Sequence, residues 1–204
     1  MEITFLGMSC LRLRGREADV LIDPLPEGVR GPRVTPDVVV STEGATDAAL
    51  LHPAEGRPQV VRGPGEYELR GIRVLGLRGP GGITVMRVEV DDVRVCAVGR
   101  LEGPLSEEVL EALGHVDVLA VPVGGGDSLD ASAAAQLVQA LEPAYAVPVR
   151  YAVAGIPGDF EDVERFAREM GLAEGVAAQP KINLTGTVSG EETRVVILEP
   201  RTAS

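Results

Sequence analysis

The imidazoles on which most metal and acid–base sites depend are nearly missing from this chain: His52 and His115 are the only two. Rings so far apart in sequence cannot furnish the converging ligands of a dinuclear centre, and each reads most simply as a surface or turn residue. Cys10 and Cys96 are too few for a disulfide framework, and unpaired Cys usually packs as a small hydrophobe. Two glycine-rich stretches could cradle a phosphate. Gly63-Pro64-Gly65-Glu66-Tyr67-Glu68 has neither a following helix nor a Lys, so a tight β-turn is expected. Gly124-Gly125-Gly126 reads as a turn ahead of a helix capped by Asp130. Asn183-Leu184-Thr185 matches a glycosylation acceptor, which has meaning only in a secreted protein.

The elements that would position such groups are mostly short strands. Apolar runs at residues 3–6, 11–13 and 20–22 predict three, with a hairpin turn over 14–19 and a stop at Asp23-Pro24. After a Pro/Gly-rich loop, the unalternating run 38–40 suits a strand buried on both faces. Further strands are expected at 60–61, 67–69, 72–77, 83–90 and 93–98, the last two joined by a turn at Asp91-Asp92. Then helices intervene. Ser106 caps one that Gly114 stops, and Asp130 caps an Ala-rich one ending at Leu141, whose apolar stripe is expected to be core. Asp159 caps a third, with Phe160, Val163, Phe166 and Met170 on one face and Gly171 closing it. Strands at 118–121 and 145–149 separate the helices, and 182–184 and 195–198 close the chain.

Composition narrows the partners. The 204 residues suit a single domain spanning 1–204. The core must rest on Val, Leu, Ala and Ile, because aromatics are 3% and Trp is absent. A net charge of −12, spread along the chain, argues against nucleic acid and anionic membranes as partners. No basic stretch followed by a long apolar run opens the sequence, so the cytoplasm is the expected compartment.

Several segments, in order, resemble the small bacterial branch of Zn-dependent hydrolases in the metallo-β-lactamase superfamily. They are "ITFLGMSCLRL" (3–13), "VLIDP" (20–24), "VVVSTEGATDAA" (38–49), "RGPGEYELRGIRVLGL" (62–77), "VRVCAVGRL" (93–101), "VDVLAVPVGGG" (116–126), "LEPAYAVPVRY" (141–151) and "AQPKINL" with "EETRVVILEP" (178–200). The resemblance implies an α/β fold of the αββα sandwich type, two mixed sheets flanked by helices. It also implies a metal site at the strand tips, and there this chain departs from the pattern. Met8 stands where the first-motif His is expected, and no His occurs across 42–48, where Asp47 is the one plausible ligand type. Ala97 and Arg100 replace the His and the bridging Asp of a later motif, and Arg150 replaces the last His.

Two guanidinium groups at a metal position raise the cost of binding a cation. The resemblance therefore points to a catalytically degenerate, metal-free member without a cofactor, acting as a scaffold or ligand sensor, with a homo-oligomer compatible with that reading. Its vestigial pocket would be formed by Met8, Asp23, Glu43, Asp47, Arg100 and Arg150. Internal neutralisation, with Glu43 or Asp47 pairing an Arg and closing the old site, is the simplest outcome. A small phosphate or carboxylate bound by Arg100 and Arg150, with Ser41, Thr42 and Thr46 as donors, is an alternative. A hydrolase with an unusual mononuclear site from Asp23, Glu43, Asp47 or His52 is another.

Overall fold

The computed structural model describes residues 1–29, 31–43, 58–172, 176–186, 188, 190 and 192–201. Two mixed sheets form the body. The first contains β1 (Glu2–Gly7), β2 (Cys10–Arg14), β3 (Asp19–Ile22), β4 (Val38–Ser41), β5 (Gln59–Arg62) and β12 (Ile182–Asn183), in the order β12-β1-β2-β3-β4-β5. The second contains β6 (Gly65–Leu69), β7 (Ile72–Arg78), β8 (Thr84–Val90), β9 (Val93–Ala97), β10 (Val118–Pro122), β11 (Tyr145–Val149) and β13 (Arg194–Val195), in the order β13-β11-β10-β9-β8-β7-β6. The chain passes between the sheets at Gly63-Pro64, where the Tyr67 hydroxyl donates to the Arg62 carbonyl at 3.1 Å. The expected turn over Gly63–Glu68 is confined to Gly63-Pro64, because the residues from Gly65 on belong to β6. The sheets share one core of buried aliphatic side chains, from Ile3, Val20 and Val38 on one to Val85, Val95 and Val118 on the other.

Parallel pairing decides where the functional groups fall. In the first sheet β3, β4 and β5 run parallel, with Ile22 beside Val40. In the second, β9, β10 and β11 do, with Ala97 beside Ala120 and Ala120 beside Val147. The carboxyl ends of all six strands therefore open at one end of the sandwich, and the residue after each strand joins a common rim. Val38–Val40 is buried on both faces, as the unbroken apolar run predicts. Val38 and Val40 enter the central core, whereas Val39 joins Leu6, Cys10, Leu21 and Leu25 on the outer face. The proline-rich loop after β3 covers that face with Leu25, Val29 and Val34.

Three helices flank the second sheet: α1 (Glu107–Leu113), α2 (Ala131–Leu141) and α3 (Val163–Glu169). Ser106 caps α1 through its hydroxyl to Val109 N, and Asp130 caps α2 by accepting from Ala133 N at 2.9 Å. The small side chains of α2 (Ala131, Ala134, Ala135) are buried, so that stripe is core. The third helix corrects the sequence reading. It begins after Asp162 rather than Asp159, without a side-chain cap, and Phe160 lies outside it. The closing strands are shorter than expected, and Leu198 joins Gln179 only by an isolated bridge. Both thiols are buried, and burial raises the Cys96 pKa to about 12, so neither is a ready nucleophile. Among the described residues no helix is long and apolar enough to cross a membrane.

Candidate functional site

At the rim, three tight backbone positions bring polar side chains together. Met8, Asp23 and Arg150 all take positive φ (52°, 44° and 52°), a conformation that costs non-glycine residues about 1 kcal/mol or more each. Arg150 is held there by its own N–H, which donates to the Met8 carbonyl at 2.8 Å across the two sheets. Thr84 N donates to the Thr42 carbonyl at 2.7 Å and makes a second such bridge. These bonds hold the strand tips of the two sheets together.

Asp23, just past β3, forms a closed clamp with Thr42, just past β4. Its Oδ1 accepts from Thr42 N at 2.7 Å and its Oδ2 from the Thr42 hydroxyl at 2.8 Å. Gly99 packs directly on this clamp: a Cβ there would sit 2.0 Å from Thr42 Oγ1, and its φ of +51° favours glycine in any case. Burial pushes the Asp23 carboxyl up to about 7, and Glu43 adds to the rise, while the Thr42 bonds and Arg150 oppose it. A sliver of Asp23 still faces the cleft.

Across the cleft, charges alternate. Arg100 Nε lies 3.2 Å from Glu43 Oε2, Arg100 Nη1 lies 3.1 Å from Asp127 Oδ2, and Arg150 Nη2 lies 2.5 Å from Asp127 Oδ1. Both arginines thus share Asp127, whose carboxyl is held below the usual carboxylate range; burial raises it, but the bonds from Arg150 and Arg100 outweigh that. Arg150 is the buried member, 4% exposed. Phe160 supports it from below, with the guanidinium carbon 5.1 Å from the ring centroid, an arrangement that stabilises by about 1 kcal/mol. The segment carrying Phe160 can approach because residue 124 is Gly; a Cβ there would sit 2.1 Å from the Arg150 carbonyl oxygen.

Two donors in this cluster have no hydrogen-bond partner among the described residues: Arg150 Nε and the hydroxyl of Ser9, itself 8% exposed. An unmet buried donor costs about 1–3 kcal/mol, more when charged. Both residues line an open cavity of about 680 Å³, bounded also by Met8, Asp23, Pro24, Leu25, Pro26, Glu27, Ser41, Glu43, Arg62, Arg100 and Asp127.

The structure therefore gathers Met8, Asp23, Glu43, Arg100 and Arg150 at one cleft, while Asp47, Thr46 and His52 lie outside the described residues. Glu43 does pair with Arg100, but the cleft is not closed by that pairing. Thr42 is occupied by Asp23 and is not a free donor. The sequence reading missed Asp127. The only signal for it was position: it is the first charged residue after β10, and β10 lies between the strands that end at Arg100 and Arg150. His115 sits at the opposite end, 3.0 Å from Asp117.

A zinc pair does not fit these donors. Among the described residues no three His, Cys, Asp or Glu side chains converge as metal ligands do. Asp23, Glu43 and Asp127 are engaged by Thr42 or by guanidinium groups, and a cation between Arg100 and Arg150 would meet two positive charges.

Comparison with known proteins agrees with the architecture. A UPF0173 protein of Pyrococcus furiosus is 26% identical, over 83% of this chain and 90% of its own. A Thermotoga maritima protein, described provisionally as a Zn-dependent hydrolase of the metallo-β-lactamase superfamily, superposes with a TM-score of 0.81 at 26% identity, covering 97% of this chain and 98% of its own. Igni18, a metallo hydrolase of Ignicoccus hospitalis, shares the fold with a TM-score of 0.66 at 16% identity, over 99% and 96% of the two chains. The β-lactamase superfamily domain pattern matches residues 2–150, well over half of the sequence. The chain belongs to the metallo-β-lactamase superfamily.

Proposed function

We propose that this chain is a metal-independent, catalytically degenerate member of its superfamily that senses a ligand or serves as a scaffold instead of hydrolysing a substrate. The observation that carries this reading is the alternating row Glu43–Arg100–Asp127–Arg150 along the rim. Its two cations are neutralised by carboxylates, so the rim is electrically complete without a metal, and inserting a divalent ion would oppose both guanidiniums at close range. A hydrolytic metal must also keep an open coordination position for water, which needs several protein donors holding it from one side. Fold alone does not carry the hydrolase chemistry of relatives to this chain. The test is element analysis of protein purified without chelators from cells grown with added zinc, iron and manganese. Far less than one equivalent per chain is expected. One equivalent or more of any of them sinks the proposal.

A further inference from the structure

We infer that the cleft is a binding site for a small organic monocarboxylate with an apolar body, its carboxylate held by the free edge of Arg150 and the Ser9 hydroxyl. This inference rests on the metal-independent reading of the same site.

Arg150 uses one guanidinium nitrogen for Asp127, its backbone N–H for Met8 and its ring-facing surface for Phe160, yet its Nε stays without an acceptor among the described residues. The group is thus fixed in position and orientation while one donor remains unmet. Ser9, the residue next to Met8, carries the other unmet donor, buried in the wall of the same cavity. Two buried donors on adjacent stretches of chain call for one shared acceptor, and a charged acceptor suits a guanidinium best.

Charge and wall chemistry narrow the class. Glu27, Glu43 and Asp127 balance Arg62, Arg100 and Arg150 around the opening, and the fourth carboxyl, Asp23, is neutral only below its raised pKa of about 7, so no positive excess remains for a dianion. Met8, Pro24, Leu25 and Pro26 give the cavity an apolar side that inorganic phosphate would leave unfilled. A volume of about 680 Å³ suits a small organic molecule.

The test is calorimetric titration and thermal melting with sodium acetate, butyrate, benzoate and phosphate. Saturable binding should strengthen from acetate to butyrate and benzoate, and phosphate should bind more weakly than either of the last two. Arg150→Lys keeps the charge but removes Nε and the planar fork, and it should weaken butyrate about tenfold or more. Ser9→Ala should weaken it several-fold, and it decides the matter if the Arg150 variant does not fold. No saturable binding of any acid at tens of millimolar overturns the inference. So does phosphate binding as tightly as butyrate, or undiminished binding in the folded variants. Metal content is measured separately, so failure to bind acids in metal-free protein defeats this inference and leaves the parent reading standing.

Discussion

Where β3, β9 and β10 begin, carboxylates bind the backbone: Asp37 accepts from Asp19 N at 3.0 Å, and Asp117 accepts from Arg94 N at 2.7 Å and Val188 N at 3.3 Å. Asp91 accepts from Arg16 N at 3.1 Å and pairs with the amino group of Met1 at 3.3 Å. Where β4 and β10 finish, Glu43 and Asp127 pair with arginine side chains, and two buried donors find no acceptor among the described residues. Both ends are rich in charge, but at the cleft end only Asp23, clamped to Thr42, ties the backbone, and the other carboxylates named here pair with side chains. A carboxylate that caps backbone N–H groups is replaceable only at the cost of the fold. A rim of paired side chains around a cavity can be altered, and in this chain it differs from what the superfamily resemblance implies.

The largest effect that would expose this asymmetry comes from Asp117→Ala. Asp117 is fully buried and serves two backbone donors on different segments. Its removal should destabilise by about 3 kcal/mol in urea unfolding, the combined cost of two N–H groups left without acceptors. A loss below about 1 kcal/mol would mean that water replaces the carboxylate, and the contrast between the ends would collapse.

How much of this could be read beforehand divides along the same line. The strands were legible because runs such as Val38–Val40 and Val93–Ala97 carry their burial in their composition, and Ser106 and Asp130 announced their helices. The third helix was misplaced because Phe160 completes a helical periodicity on paper, whereas a tertiary contact with Arg150 holds it outside the helix. Asp127 was illegible for a related reason. An acid after three glycines looks like any loop residue until parallel pairing sets it between two arginines that lie 27 and 23 residues away in sequence. The openness of the cleft depends on how the proline-rich loop packs, which no local pattern encodes.

At the cleft end, Asp23 gives a smaller effect with a sign set by pH. Its folded pKa of about 7 lies above the ordinary 3.8, so between those values the folded state keeps a proton that the unfolded chain releases. Stability therefore falls as pH rises through this window and is flat above it. Asp23→Asn removes the titration but can still accept from Thr42 N and bond the Thr42 hydroxyl. Its stability relative to the parent should improve by about 2 kcal/mol between pH 5 and pH 8, allowing for water that reaches the carboxyl from the cleft. Denaturant midpoints of both proteins across that range check it. A difference independent of pH would place Asp23 among ordinary ionised carboxylates and remove the distinction from the far end.

The smallest effect is expected at Arg100, and its smallness is informative. Arg100 touches both Glu43 and Asp127, so a tally of ion pairs would rank it above Arg150, which touches only Asp127. Exposure reverses that ranking. The Arg100 side chain is 44% exposed and its two partners 34% and 46%, so water screens both pairs and resolvates the carboxylates when the guanidinium is lost. Arg150 continues to hold Asp127. Arg100→Ala should therefore cost about 0.5 kcal/mol or less in urea unfolding, and even that should fade at high salt. A loss several times larger would show that the row of charges acts as one rigid unit, as the carboxylate stitches do at the opposite end.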